Sequence, residues 1–276
     1  MAIRRIERVA TARDPGLVRV SSPVPGLATS ARRTAHPEAT VVAVHGGLDR
    51  ARSFTRIARA LPEMDLVAYD RRGYQGSRAL GPGTLREHVN DLVSVLASER
   101  ARTSRPVLAL GHSFGGVVVL GAAIAAPELL DHAVIFEAPL PWVLARDDSP
   151  AALPTDPALA AEAFFTRMVS ARDWERLSEI ERGSRRLDGP ALMSDLAALR
   201  TAAPYTLATL EVATTFAFGH WARTPHFREL ARLVGEITPL MTFVEVADAR
   251  HDAHLRRPDA LAALVRHACE VSCASA

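Results

Sequence analysis

The chain has 276 residues, with 33 basic against 31 acidic groups. That length supports one large α/β unit or two small ones, and the near-neutral balance gives no strong pull toward nucleic acid or an anionic membrane. The N-terminal Arg4-Arg5 has no apolar stretch behind it, and the longest apolar run is too short to span a bilayer. The expectation is therefore a soluble, cytoplasmic protein acting on a small molecule, with its oligomeric state unspecified.

In chain order, the β-branched run 40–46 (TVVAVHG) predicts a buried strand, 53–61 carries helical spacing, and 64–70 (MDLVAYD) predicts a second strand ending at the turn-rich DRRGYQGS. Thr84 and Glu87 form a capping box ahead of a helix with Leu85, Val89, Leu92, Val93 and Leu96 on one face. Strands follow at 107–110, 132–139, 211–219 and 241–246, with helices from 114, from 224 to about 234, and from Pro258 to the end. Alternating strands and helices imply right-handed crossovers and a mainly parallel sheet. Residues 141–208 break the alternation, Pro-rich first and helical later. They predict a helical cap over the strand ends, leaving 1–140 and 209–276 as the core.

The chemistry concentrates at strand ends. Val107–Leu110 run into Gly111-His112-Ser113-Phe114-Gly115 and then an apolar helix, the context in which Gly-x-Ser-x-Gly becomes a nucleophile elbow. A serine needs a base, the base needs an acid partner, and the developing oxyanion needs fixed donors. His45-Gly46-Gly47 ends the first central strand, so the N–H groups of Gly47 and Phe114 are the candidate oxyanion donors, against the plainer reading of a tight turn. His251, just past the 241–246 strand, is the candidate base ahead of His254. Cys269 and Cys273 have no ligand-forming neighbours at metal spacing and read as free thiols.

Together, HGG, DRRGYQGS, GHSFGG, the inserted cap and the late histidine followed by HLxxP resemble the α/β-hydrolase superfamily over nearly the whole chain. The resemblance implies an α/β fold, with an eight-stranded, mostly parallel sheet flanked by helices. It also implies a Ser–acid–His triad in that chain order, and no metal or organic cofactor. One departure is informative. The usual acid in Gly-x-x-Asp after the penultimate strand is missing, since that stretch reads Gly219-His220-Trp221-Ala222. The family's second solution places the acid after the strand that follows the nucleophile helix, where this chain has Glu137 in an otherwise apolar segment. Asp147, Asp148 and Asp248 are the alternatives, and Asp70 reads as structural. Asp248 and Arg250 stand where the family commonly has glycines, and Arg250 is expected to face solvent.

The resemblance implies hydrolysis of an ester or lactone of a small to medium apolar substrate by Ser113, His251 and Glu137. The alternatives are C–C bond hydrolysis or a lyase reaction, and a non-catalytic ligand-binding member of the fold. Trp142, Phe164, Phe165 and Met168, with Trp174 nearby, are the cap residues available to line a pocket.

Overall fold

The computed structural model describes residues 16–145, 153–221 and 223–274. Eight strands form one sheet: β1 (Val18–Arg19), β2 (Ala28–Arg32), β3 (Thr40–Val44), β4 (Asp65–Asp70), β5 (Val107–His112), β6 (His132–Phe136), β7 (Thr214–Gly219) and β8 (Met241–Val246). Their order is β1-β2-β4-β3-β5-β6-β7-β8. β3 to β8 pair in parallel, while β1 and β2 form an antiparallel edge. The sequence reading missed that edge, because ATSAR in β2 has no apolar alternation to announce a strand.

Alternation along the central strands sorts the core into two layers. Val42 and Val44 of β3 face the layer of α2 (Leu85–Arg100), α3 (Phe114–Ala125) and α8 (Thr224–Ile237). Val41 and Ala43 face α1 (Thr55–Ala60) and α10 (Pro258–Ala274). The predicted capping box is present, with Thr84 Oγ1 accepting from the Glu87 N–H and the Glu87 carboxylate accepting from the Thr84 N–H. Such a cap stabilises a helix by about 1 kcal/mol.

Among the described residues between β6 and β7 lie four α-helices, α4 (Pro157–Met168), α5 (Ala171–Arg176), α6 (Glu179–Leu187) and α7 (Gly189–Ala198), with α4 packed against the other three. Two fully buried carboxylates clasp these helices to the turn after β4. Asp188 accepts from the Gln75 backbone and side chain and from Arg78. Asp195 accepts from the Arg71 guanidinium at 2.6 Å and from the Tyr74 hydroxyl at 2.6 Å. α9 (Ala253–Arg256) follows β8 and carries His254.

Candidate active site

Ser113 stands between β5 and α3 with φ 53° and ψ −125°, a left-handed conformation rare outside glycine and a mark of strain at a tight turn. The glycines around it are required by close approach. A Cβ on Gly115 would meet the Val44 carbonyl oxygen at 2.1 Å, and one on Gly46 would meet Ser113 Cβ at 2.9 Å. The His45-Gly46-Gly47 loop therefore lies directly against the elbow. Phe114 is the first residue of α3, so its N–H belongs to the donors that no helix bond can use.

Glu137 follows β6, also at positive φ (51°), and is buried. Its carboxylate is fully engaged. One oxygen accepts from the Gly219 N–H at 3.0 Å and from the Trp221 indole N–H at 2.6 Å, and the other accepts from His251 Nδ1–H at 2.7 Å. A buried carboxylate needs such partners. With Nδ1–H committed to Glu137, neutral His251 keeps its Nε2 lone pair for an acidic proton. The loop before His251 turns at Asp248, whose φ of 53° explains why glycine suits that position. Arg250 is exposed, as expected. His112 Nε2–H donates to the His251 backbone carbonyl at 2.7 Å and pins this loop from below.

His254 is placed differently. It is buried, turned toward Asp49, with Nε2 3.0 Å from the carboxylate, and it has no contact with Glu137. Asp70 is structural, accepting from the N–H groups of Ala51 and Gly76. Asp147, Asp148 and Ala222 lie outside the described residues. Cys269 and Cys273 carry free thiols, one buried and one exposed.

Arg71, from DRRGYQGS, was not singled out by sequence. It is fully buried, and its guanidinium donates to the carbonyls of His45 at 2.9 Å and Gly46 at 3.2 Å while pairing with Asp195. The Gly46 carbonyl shares a peptide with the Gly47 N–H, so Arg71 fixes and polarises the peptide that faces the elbow. Burial, with Arg71 beside it, pushes His45 down to about 3. The neutral ring accepts the Arg71 N–H at Nε2 and donates Nδ1–H to the Gly46 carbonyl.

Two cavities meet at Ser113, and both are lined by Gly47, Ser113, Phe164, Met168 and His251. One, of about 710 Å³, is charged, with Arg52, Arg56, Arg176, Arg185 and Asp173 in its walls. The other, of about 570 Å³, is the more apolar, with Leu144, Leu192, Leu196, Leu199 and Phe227, and also takes in Arg167, Arg223 and Glu229. Phe165 borders the first cavity. Trp142 corrects the cap expectation, because it lines neither cavity and packs edge-on to Tyr205 at 5.7 Å against the core. Trp174 is buried against Phe165. Among the described residues no helix is long and apolar enough to cross a membrane.

A sequence model of the Alpha/beta hydrolase family matches residues 41–264. The chain is 34% identical over 105 residues to Lipase LipV of Mycobacterium tuberculosis, covering 36% of this chain and 39% of that protein. It is 35% identical over 112 residues to the human Serine hydrolase-like protein, covering 39% of this chain and 53% of that protein. The matches thus span little more than half, or less, of these relatives. A lipase-esterase related protein from Clostridium acetobutylicum superposes with a TM-score of 0.68 at 15% identity, over 88% of this chain and 99% of that one. With the elbow, the sheet order and a family match over most of its length, the chain belongs to the alpha/beta hydrolase family.

Proposed function

We propose that the protein is a serine hydrolase of carboxylic esters or lactones that works through an acyl-enzyme. The observation that carries this reading is the 2.7 Å bond from His251 to buried Glu137, at the cavity that also holds the strained Ser113. Ser113 Oγ attacks the carbonyl carbon while His251 Nε2 takes its proton, and Glu137 holds the tautomer and stabilises the imidazolium. The oxyanion is met by the N–H groups of Gly47 and Phe114; one such donor is worth about 10²–10³ in kcat. The protonated His251 then delivers its proton to the leaving alkoxide. Water attacks the acyl-enzyme with His251 again acting as base, and Ser113 is regenerated.

The apolar cavity suits the acyl chain, since its volume falls within the usual range for small-molecule sites. The charged cavity suits a polar leaving group and the incoming water. Trp221 and Arg71 act through others, one on Glu137 and one on the oxyanion loop.

A fluorophosphonate probe and a panel of p-nitrophenyl esters of graded length, run beside lactones, test the reading. The protein should label and turn over medium-chain esters, and Ser113→Ala should do neither. Wild-type protein that neither labels nor turns over any panel member would instead be a non-catalytic binding member of the fold.

A further inference from the structure

We propose that Asp49, His112 and His254 form a binding site for one divalent transition-metal ion, with zinc the best fit. The three come from separate segments: the loop after β3, the end of β5, and α9. They converge on the wall of the charged cavity. One ligand atom from each lies within 4.8 Å of the others, and the two imidazole rings are 4.1 Å apart at their centres.

The hydrogen bonds leave these atoms available. Because the His251 carbonyl can only accept, His112 must carry its proton on Nε2, so Nδ1 presents a bare lone pair. That Nδ1 is sealed from solvent and has no hydrogen-bond partner. His254 is 96% enclosed, with 4% of its surface exposed, and its Nδ1 has no hydrogen-bond partner. Its Nε2 pairs with Asp49 Oδ2 at 3.0 Å, which already brings two of the three ligand atoms together. Asp49 Oδ1 is held by the Ser53 hydroxyl. Stranding buried polar atoms in one place costs free energy that a shared partner would recover. The ligand atoms already lie within 4.8 Å of one another, so a cation bonded at about 2.0–2.2 Å needs only a small contraction of the cluster.

The donor set narrows the ion. Two imidazole nitrogens and one carboxylate favour zinc or a neighbouring transition metal over magnesium or calcium, which take oxygen ligands. The His112 ligand atom is its bare Nδ1. Its far N–H rests on a backbone carbonyl, the arrangement that orients metal-bound histidines. Since that carbonyl belongs to His251, a bound ion would brace the loop carrying the candidate base without entering the reaction itself. The site stands independently of the ester-hydrolase reading.

Tag-free protein, stripped with a chelator and then freed of it, is titrated with ZnCl2 in a calorimeter and with CoCl2 in a spectrophotometer. One equivalent should bind saturably, and Co²⁺ should develop the visible bands of a low-symmetry nitrogen-oxygen site. Asp49→Asn and His254→Gln should each weaken Zn²⁺ binding tenfold or more while keeping the far-UV spectrum of the parent. Should His254→Gln fail to fold, Asp49→Asn and the Co²⁺ spectrum of the parent still decide. Absence of saturable one-to-one binding, or binding equally tight in Asp49→Asn, overturns the proposal.

Discussion

The Glu137 carboxylate takes three hydrogen bonds, from Gly219, Trp221 and His251, and each of the three donors has a different consequence. Glu137→Gln keeps the shape but removes the charge that selects the His251 tautomer, and kcat for a p-nitrophenyl ester should fall by up to about 10⁴-fold. Trp221→Phe removes one bond to a charged acceptor, worth about 1.5–3 kcal/mol, yet leaves both cavities lined as before. We expect roughly a tenfold loss in kcat with KM unchanged, read by steady-state kinetics. His251→Ala should cost orders of magnitude, whereas His254→Ala, which lacks any contact with Glu137, should cost far less. The strand-to-helix elbow and the family resemblance singled out Ser113, Glu137 and His251 in the sequence, and the structure brings Glu137 and His251 to 2.7 Å of each other. Trp221 was not legible there, because nothing local says that an indole will fold back 84 positions to a carboxylate.

The capping helices are tied to the core through the turn after β4, and the tie ends at the His45-Gly46-Gly47 loop. Arg71 touches Asp195 on α7 on one side and the Gly46 carbonyl on the other, with no exposed surface of its own. Asp195→Leu alone strands a buried guanidinium and should cost about 3–5 kcal/mol in a denaturant titration. Arg71→Leu/Asp195→Leu should recover much of that stability, since neither charge is left unpaired. The double variant should nonetheless remain poorly active, because the Gly46 carbonyl loses its cationic donor and keeps only His45 Nδ1–H, and the His45 carbonyl loses the guanidinium as well. Activity returning along with stability would show that Arg71 serves the cap alone. The six helices and strands from β3 to α3, apart from the short turns, were readable from apolar periodicity and glycine punctuation. The β1-β2 edge was not, since its short polar strands are held by register against β4 rather than by their own pattern.

For the molecule as a whole, several histidines are buried in the neutral form. Burial lowers His45 to about 3 and His132 to about 4, and it lowers His88 as well. In the unfolded chain they titrate near 6.5, so between that pH and their folded values the unfolded state binds more protons. Stability should therefore fall as the pH drops below about 6.5, with His45 alone contributing a slope approaching 1.4 kcal/mol per pH unit. Unfolding titrations at pH 7.5 and 5 measure it, and His132→Asn should flatten the dependence. The positive-φ residues lead further. Among the described residues, the non-glycine positions with φ near 50° are Leu48, Gln75, Ser113, Glu137 and Asp248, all at the cavities, the cap clasp or the base loop. Each such conformation costs about 1–3 kcal/mol, more than the roughly 0.5–1 kcal/mol that glycine loses in backbone entropy. Ser113→Gly should accordingly melt about 2–4 °C higher than the parent for each kcal/mol released, while being inert toward esters. A screen of this sequence that rewarded heat resistance alone would drift toward the glycines and return durable proteins with no turnover.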